Sequence, residues 1–557
     1  MPRKLPIGRS DFKTVIEDGY YYVDKSLLIK EVLNDSAQVL LLPRPRRFGK
    51  TLNMQMLRHF FELTEEDSGS LFQDLAVAEE PEVMAHQGQY PVLYFSLKEI
   101  RGTTWEVAYG KLQQLMCAAA TEFSSVESSL SPPEGKRLRE LTNETASQAV
   151  LENSLRDLAI WVQQHHKKPV IILIDEYDTP LLEAYAHNYY EEMASFMRSW
   201  LGGGLKLEAA PGVLFKAVVT GIMRVAKESL FSGLNNLKVW PVYATSPFSD
   251  KFGFTEPEVE KLLQEWGRTD ETDVVRDWYN GYQFGASVVY NPWSIINYIS
   301  EDNGPLPFWL NTSKNDLIYE ALQSPTEQLR RQLEILLAGG EIRQTVTDAA
   351  VLREGVSPRD LWSFMLSAGY LTSRGSQMGP RGPEYLLAIP NRELRCIFSE
   401  TVERWLERVY QSEGIQDFLE TLVDGRWQRF EELLQRHVLN MLSFHDLGAD
   451  KPAEAVIQAF VLGLLADLTH LYQIRSNREE GAGRADIVMN PFDKNQRGFV
   501  IEFKSLDQDA DLDDALNAAL KQIDEQQYAT GLEADGVKEI VKLAIVLQGK
   551  TIKMKVA

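Results

Sequence analysis

Short, largely apolar runs recur in the first part of the chain, and we predict that they form buried strands: Gln38–Leu42, Val92–Leu97, Pro169–Asp178 with its acidic end, and Val213–Thr220. Continuous apolar runs of this length are typical of central strands in a parallel sheet, where both faces are covered. The segment Thr51–Phe61 instead repeats Leu52, Met56 and Phe60 at helical spacing and is predicted to be a helix.

The stretch RPRRFGKT joins the first predicted strand to this helix and indicates a phosphate-binding loop. Gly49, Lys50 and Thr51 fit the end of the pattern G-x-x-x-x-G-K-[ST]. In such a loop, backbone N–H groups and the helix N-terminus converge on the anion, the lysine reaches the β- and γ-phosphates, and the hydroxyl can ligate Mg²⁺. We therefore predict a site for ATP and Mg²⁺, and the alternative is a basic turn between strand and helix.

The start of the loop departs from this pattern. Arg44 stands where the first glycine is expected, and Pro45 removes one N–H donor. Arg46 and Arg47 add positive charge that could compensate for that loss. We count Arg46, Arg47 and Phe48 among the candidate nucleotide contacts.

Acidic residues follow the third apolar run, where ligand-binding groups of a parallel sheet collect. We predict that Asp175 holds Mg²⁺, directly or through water, and that Glu176 orients and deprotonates the attacking water. Asp178 could support them or cap the following helix. Thr220, at the end of the fourth strand, could contact the γ-phosphate or the water, and Arg224 could sense charge there.

A second candidate site lies near the C-terminus. The predicted order is helix Ala453–Leu468, strands Leu471–Ser476, Ala485–Met489 and Gly498–Lys504, helix Asp511–Tyr528 and strand Val541–Leu547. Alternation in GFVIEFK places Glu502 and Lys504 on one face of their strand, near Asp486 of the preceding one. Asp486 and Glu502 would ligate Mg²⁺, while Lys504 would position water or stabilise the phosphate, which suits phosphodiester hydrolysis. Glu454 could add a further acid; the alternative is a surface Glu–Lys pair.

Between the two sites, a helix (Leu361–Tyr370), a hairpin (Leu371–Ser373 with Tyr385–Ile389) and a long helix capped by Asn391 resemble a winged-helix module. Such modules either bind DNA or serve as packing and lid elements. The sequence leaves both roles open.

Composition restricts the function further. The formal net charge of −22 argues against binding nucleic acid through overall electrostatics, so such contacts would be local or assisted by a cation. No apolar run reaches the length of a membrane span. The two cysteines, Cys117 and Cys396, suit the reducing cytoplasm and exclude a cysteine-based zinc site.

An ordered set of segments resembles the bacterial and archaeal AAA-ATPase-like proteins: IGRSDFKTVIEDGYYYVDKSLLI, RPRRFGKT, ILIDEYDTPL, VTGIMRVAKESLFSGLNNL, WYNGYQFG and YNPWSIINYI. The resemblance runs over most of residues 1–310 and implies a P-loop ATPase fold. The loop of that family commonly reads R-P-R-R-F-G-K-[ST], so the resemblance implies that the absent glycine is a family feature. The motif Tyr22–Lys25 could line the adenine side of the site.

The C-terminal segments SNREEGAGRADIVM, VIEFK and ALKQIDEQQY are similar to the PD-(D/E)xK nuclease superfamily. The resemblance implies that Asp486, Glu502 and Lys504 occupy active-site positions. It also implies that Gln522 and Tyr528 lie near the scissile phosphate. The first helix of this region lacks the aromatic–histidine pair that is usual in that branch of the superfamily.

We therefore expect an α/β protein with a P-loop ATPase domain built on a parallel sheet (1–310), a helical and winged-helix-like region (311–450), and an αβββαβ restriction-endonuclease-like domain (451–557). The expected function is ATP binding and hydrolysis coupled to a Mg²⁺-dependent nuclease that acts on DNA, or less favourably on RNA, in defence or genome maintenance. The alternative is a nucleotide-dependent switch or scaffold whose C-terminal domain binds a partner without cleavage. A homo-oligomer is expected because related ATPases often complete their sites with a neighbour's arginine.

Overall fold

The computed structural model describes residues 3–64, 68–207, 210–225, 230–231, 234–301, 304–309, 327–337, 339–346, 349–350, 358–379, 382–398, 415–442, 461–462, 464–480, 483–506, 511–548 and 551–557. The chain forms two compact units. The first consists of Met1–Ala321 and Arg343–Leu394, and the second consists of Leu322–Ile342 and Arg395–Ala557.

The strands are, in chain order, β1 (Val39–Pro43), β2 (Val92–Ser96), β3 (Val170–Asp175), β4 (Leu214–Gly221), β5 (Arg224–Val225), β6 (Leu237–Val239), β7 (Phe254–Thr255), β8 (Tyr282–Phe284), β9 (Ser287–Tyr290), β10 (Ile342–Thr345), β11 (Ala349–Ala350), β12 (Thr372–Gly379), β13 (Gly382–Ala388), β14 (Tyr472–Glu480), β15 (Gly483–Pro491), β16 (Arg497–Leu506), β17 (Glu539–Gln548) and β18 (Thr551–Val556).

The α-helices span Phe12–Glu17, Leu28–Asn34, Lys50–Phe61, Pro81–Met84, Trp105–Glu122, Pro132–Thr142, Gln148–His166, Thr179–Ala186, Tyr190–Lys206, Glu256–Glu265, Thr272–Tyr279, Pro292–Ser300, Glu327–Leu337, Pro358–Ala368, Ile415–Val423, Trp427–Leu442, Leu512–Glu525 and Thr530–Ala534. In the part of the chain that the structure describes, none of the helices combines the length and the apolar character needed to cross a membrane.

A five-stranded parallel sheet in the order β2-β3-β4-β1-β6 lies at the centre of the first unit. The four predicted strands and the predicted helix after the first of them are confirmed, while β6 was not predicted. β1 and β3 are buried along their whole length, as expected for strands that are covered on both faces. Because β4 separates β1 from β3, Thr220 at its end lies beside Leu42 of β1, between the phosphate loop and the acidic strand.

Helices pack against this sheet. Alternate residues of β3 (Val170, Ile172 and Ile174) belong to an apolar core that also contains residues of the helices Gln148–His166 and Tyr190–Lys206. Polar residues such as Asp175 and Thr220 lie at the carboxyl ends of the strands, where open parallel sheets bind their ligands.

The middle of the chain contains the predicted hairpin, formed by β12 and β13 in antiparallel pairing, with β10 on the other side of β13. Asn391 accepts a hydrogen bond from the backbone N–H of Leu394, which confirms the predicted helix cap. Residues 343–394 belong to the first compact unit.

The second unit contains a mixed sheet in the order β14-β15-β16-β17-β18, in which only the pair β16–β17 is parallel. The helix Leu512–Glu525 lies in the connection between these two strands. The predicted strands and this helix are confirmed, and β18 is an additional strand. Of the predicted first helix, residues 461–462 and 464–465 are described as α-helical and residues 466–468 belong to a 3-10 helix, while Glu454 lies outside the described residues.

Candidate active sites

The phosphate loop places a helix N-terminus at the edge of the first sheet. Gly49 adopts a left-handed conformation (φ 81°), and the helix begins at Lys50 without a side chain capping its first N–H groups. Arg47 is also left-handed, with φ 69°. Open N–H groups at a helix N-terminus attract an anion, so the local geometry suits a phosphate group.

Lys50 is buried within the loop. Its Nζ donates hydrogen bonds to the carbonyl oxygens of Arg44 (3.0 Å) and Pro45 (2.9 Å). Burial lowers the pKa of Lys50, and the nearby carboxylates of Glu176 and Asp175 oppose that effect. The ammonium group is therefore held at the loop by neutral acceptors that a phosphate oxygen could replace.

Two hydroxyl groups converge on Asp175, which is fully buried. Thr51 Oγ1 donates to Oδ2 over 2.7 Å, and Thr220 Oγ1 donates to Oδ1 over 2.6 Å. Burial raises the pKa of Asp175, and both hydroxyls lower it. A hydroxyl and a carboxylate side by side at a phosphate loop offer the oxygen ligands that Mg²⁺ takes. The structure gives Thr220 a role in orienting Asp175, and its contact with a nucleotide stays a prediction.

The two acidic residues that follow β3, Glu176 and Asp178, have different hydrogen-bond partners. Glu176 is left-handed (φ 53°) and accepts a hydrogen bond from Thr179 Oγ1 over 3.1 Å. Asp178 does not cap its helix; its Oδ2 accepts the backbone N–H groups of Ile222 (2.7 Å) and Met223 (3.1 Å) instead. Burial raises the pKa of Asp178 to about 6. Asp178 thus stabilises the turn after β4. Glu176 instead lines the cavity described below.

Arg44 has a structural role that the sequence pattern did not indicate. Its guanidinium donates hydrogen bonds to the carbonyl oxygens of Pro43 (2.7 Å), Trp240 (2.8 Å) and Phe248 (3.2 Å), and it lies 5.0 Å from the ring centre of Phe252. Burial lowers the pKa of Arg44 to about 9. The side chain therefore ties the start of the loop to residues 240–252. The signal in the sequence was an arginine at the end of a wholly apolar strand.

The other candidate residues of the loop differ in exposure. Phe48 is buried and packs against the rings of Tyr282 (4.9 Å) and Phe284 (5.0 Å), so it anchors the loop. The Arg47 guanidinium lies 4.2 Å above the ring centre of Trp293. Arg46 is half-buried. The side chain of Arg224 lies outside the described residues.

A cavity of about 390 Å³ opens beside the loop. It is lined by the loop and the following helix turn (residues 46–53), by Glu176, by Tyr21–Val23 and by Trp293, among others. Its volume falls in the range of small-molecule sites. Within the motif that we expected at the adenine side, Tyr22 and Val23 face this cavity, and Lys25 also pairs with the Glu258 carboxylate at 2.7 Å.

The structure also brings together the predicted residues of the second unit. Asp486 Oδ2 accepts the backbone N–H of Phe503 (2.8 Å), which places it beside β16. Lys504 Nζ donates to Glu502 Oε1 over 3.3 Å. Gln522 Nε2, from the helix that packs on this face, donates to the same Glu502 oxygen. The predicted face of β16 is therefore correct, although this helix partly covers it.

Glu502 is only 2% exposed, and its Oε2 atom has no hydrogen-bond partner in the described part of the chain. Burial, with a contribution from Asp486, raises the pKa of Glu502 to about 7, while Lys504 lowers it. A buried carboxylate oxygen without a partner is unfavourable unless something binds it, and a divalent cation fits this position beside Asp486. Among the described residues no cluster of three or more acidic, histidine or cysteine side chains surrounds a metal position.

Comparisons with known proteins match two segments of the chain to known families. Residues 6–231 match the family model of the predicted AAA-ATPases, and residues 452–557 match that of the PD-(D/E)XK nuclease superfamily. An uncharacterized protein in the vnfD 5′ region of Azotobacter chroococcum mcd 1 is 28% identical over 409 residues, which cover 72% of this chain and 70% of that protein. A solved Walker-type ATPase of Pyrococcus abyssi aligns with 67% of this chain and 94% of its own, at 13% identity and a TM-score of 0.33. The chain is thus a hydrolase-type enzyme that combines an AAA-ATPase-like domain with a C-terminal domain of the PD-(D/E)XK nuclease superfamily.

Proposed function

We propose that the protein binds and hydrolyses ATP with Mg²⁺ in its first unit and uses the nucleotide state to control a Mg²⁺-dependent nuclease in its second unit, with DNA as the substrate and the cytoplasm as its location. The observation that carries this proposal is the convergence of Thr51 and Thr220 on Asp175 next to Lys50. At one edge of the sheet, Lys50 supplies a positive charge for the phosphates, and Thr51 and Asp175 supply oxygen ligands for Mg²⁺.

The residues of the first site would divide the reaction among them. Lys50 would exchange its two carbonyl partners for phosphate oxygens, and Thr51 with Asp175 would hold Mg²⁺. Glu176, which lines the cavity, would accept the proton of the attacking water. The cation, when bound, would neutralise negative charge that develops on the phosphate oxygens.

The second site would use Asp486 and Glu502 to hold a divalent cation, which would polarise the phosphodiester when bound. Lys504, 3.3 Å from Glu502, would orient the attacking water or stabilise the charge on the phosphate. Gln522, from the covering helix, would support Glu502, and the hydroxyl group of Tyr528, in the turn after that helix, accepts a hydrogen bond from Gln522 Nε2 over 3.4 Å. DNA is preferred over RNA as the substrate, and defence or genome maintenance is the proposed context.

A nucleotide-dependent switch or scaffold is the second candidate function. The net charge of −22 favours it, because overall electrostatics oppose contact with a polyanion. The three side chains gathered around Glu502 favour cleavage instead.

The decisive experiment compares Lys50→Ala and Lys504→Ala with Lys136→Ala and Lys553→Ala, whose side chains are 75% and 56% exposed and pair with Glu140 and Glu431 outside the residues assigned to either site. Each protein is incubated with ATP, Mg²⁺ and linear DNA, circular DNA or RNA. We expect Lys50→Ala to lose ATP turnover and Lys504→Ala to lose cleavage, each by about 100-fold or more, while the two control variants retain both.

The pattern of loss separates the candidates. Loss of cleavage in both active-site variants would support coupling, and loss in Lys504→Ala alone would show a nuclease independent of ATP. ATP turnover without cleavage of any nucleic acid would contradict the nuclease half and favour the scaffold. Light scattering with and without ATP tests the expected homo-oligomer.

A further inference from the structure

The cavity beside the phosphate loop has two chemically different sides. Lys98 and Arg101, which follow β2, and Glu176, which follows β3, contribute charged groups to its lining. Tyr21 and Ile296 line it as well, and both pack against a separate apolar core of the first unit. Glu183 lines it too and pairs with Arg101 at 3.9 Å, so the preference for an anion comes from Lys50 and the helix N-terminus at the phosphate loop. A ligand that spans this cavity therefore needs an anionic part at the loop and an apolar or aromatic part.

The order of the strands shows where the charged side and the apolar side of the cavity lie relative to the phosphate loop. β2 and β3 both lie on the same side of β1, beyond β4. Trp293 lies in the first turn of the helix Pro292–Ser300, whose residue Ile295 belongs to the apolar core. The side chain of Arg47 reaches Trp293 from the loop. The phosphates would therefore lie at the loop and the charged side, and the rest of the ligand would face the helix.

Trp293 is held in a defined orientation although its ring is only half-buried. Asn291 Oδ1 accepts the backbone N–H groups of Trp293 (2.9 Å) and Ser294 (3.4 Å) and so caps the helix. The indole Nε1 donates to the carbonyl oxygen of Phe308 over 3.3 Å. The Arg47 guanidinium then lies 4.2 Å from the ring centre, which makes a planar, cationic and aromatic stack at the edge of the cavity.

We propose that Trp293, stacked with Arg47 and flanked by Tyr21 and Ile296, forms the surface that binds the base of a nucleoside triphosphate. This inference rests on the proposed nucleotide function of the same cavity. In this inference Arg47 contributes to binding of the nucleobase. The segment YNPWSIINYI, which contains Trp293, then binds the nucleobase and not the phosphates.

A stacking surface recognises the π-face of a base, so it discriminates a nucleotide from a bare polyphosphate. Alanine substitution at aromatic residues that stack on a base weakens binding by roughly 5- to 150-fold. The phosphates are held by Lys50, Thr51 and the helix N-terminus, and these contacts do not depend on the indole ring. Inorganic tripolyphosphate therefore probes the phosphate contacts alone.

The test is calorimetric titration of the purified full-length chain with ATP and with inorganic tripolyphosphate, both with Mg²⁺. The variants are Trp293→Ala, Trp293→Phe and Trp278→Ala. Trp278 is a matched control, since it lies beneath another arginine, Arg392 (4.7 Å), and does not line the cavity. We expect Trp293→Ala to bind ATP at least about tenfold more weakly and to bind tripolyphosphate unchanged. Trp293→Phe should bind ATP with an affinity between those of Trp293→Ala and the unsubstituted protein, because it keeps an aromatic ring but loses the hydrogen bond to Phe308. Trp278→Ala should bind both ligands within about twofold of the unsubstituted protein.

Equal affinity of Trp293→Ala and the unsubstituted protein for ATP would overturn this inference and leave the proposed function standing. Parallel loss of ATP and tripolyphosphate binding in Trp293→Ala would also overturn it, because the ring would then support the loop itself. Failure of the unsubstituted protein to bind ATP would overturn the proposed function together with this inference.

Discussion

Arg44 shows how a residue that breaks a binding pattern can stabilise the site. Its guanidinium bridges Pro43, Trp240 and Phe248 through their carbonyl oxygens. Arg44→Gly restores the glycine of the usual phosphate-loop pattern, yet we expect it to weaken ATP binding. We also expect it to lower the free energy of unfolding by about 3 kcal/mol, because buried acceptors lose a charged donor and a cavity forms. Urea unfolding and ATP titration measure the two effects.

Arg44→Lys is the control for this prediction, since it keeps the charge but cannot bridge all three carbonyl groups. Its stability should fall between those of the unsubstituted protein and Arg44→Gly. An Arg44→Gly protein that is as stable as the original and binds ATP more tightly would contradict the anchoring role.

Glu393 is a buried acid outside both sites, and it predicts a dependence of stability on pH. It is 0% exposed and accepts hydrogen bonds from Ser294 Oγ (2.9 Å) and the backbone N–H of Trp309 (2.9 Å). Burial raises the pKa of Glu393 from 4.5 to about 7. Between these two values the folded state holds a proton that the unfolded state has lost, so the free energy of unfolding falls as the pH rises through this window.

Glu393→Gln keeps a neutral acceptor for both partners and removes the titration. Relative to the unsubstituted protein, we expect this variant to gain on the order of 3 kcal/mol of unfolding free energy between pH 4.5 and pH 8. Denaturant unfolding of both proteins across this range gives the difference, in which other titrating groups cancel. A difference that does not change with pH would mean that Glu393 titrates near its ordinary pKa.

At the scale of elements, the hydrophobic pattern predicted the parts whose burial is nearly complete. The largely apolar runs form β1 to β4, and the alternation around Glu502 placed it correctly beside Lys504 and Asp486. The pattern missed β6, which has three half-buried residues, and β18, in which polar and apolar residues alternate at an edge of the sheet. Short or edge strands depend on pairing with neighbours that are distant in sequence, and local periodicity does not contain that information.

The sequence predicted those site residues whose role follows from their own functional group and their spacing along the chain. Lys50, Thr51 and Asp175 could be recognised by residue type and spacing. The roles of Arg44 and Asp178 could not, because their partners are backbone groups of segments far along the chain. Hydrogen bonds to backbone atoms carry no residue type, so a sequence pattern does not reveal them.

Three consecutive glycines near the end of the helix Tyr190–Lys206 give a matched pair of substitutions with opposite effects. A Cβ atom on Gly204 would lie 2.2 Å from Cγ of Leu155, whereas one on Gly202 would have no atom within 4 Å. We expect Gly204→Ala to destabilise the fold by about 1–3 kcal/mol through overpacking, and Gly202→Ala to stabilise it by about 0.5–1 kcal/mol through helix propensity. Thermal unfolding of the two variants measures the signs. Equal effects would show that the two helices are not packed this closely.

At the scale of the whole molecule, the two compact units do not follow the chain in simple order. The second unit takes in Leu322–Ile342 before the chain returns to the first unit for Arg343–Leu394. A pattern read along the sequence gives contiguous domains, such as the predicted middle region 311–450, because it contains no contacts between distant segments. The segment that matches the nuclease superfamily, 452–557, is therefore shorter than the unit in which it folds.

This organisation predicts where the second unit can be separated from the chain. One face of its sheet, including Phe499 and Ile501, packs against the helices Ile415–Val423 and Trp427–Leu442. The buried residues that these helices contribute are Phe418, Leu419, Leu422, Phe430, Leu433 and Leu434. At about 1.5–3 kcal/mol for each side chain, their removal forfeits on the order of 10 kcal/mol, which is comparable to the whole stability of a domain.

We therefore expect a fragment of residues 452–557 to aggregate or to lack a cooperative unfolding transition, and a fragment of residues 415–557 to unfold cooperatively. Circular dichroism during heating and size-exclusion chromatography compare the two. Adding the helices as a separate peptide, residues 415–442, should partly restore the shorter fragment, because the same apolar face would be covered. A cooperative, monomeric 452–557 fragment would show that the sheet is stable without this layer of helices, and the matched segment would then be the folding unit.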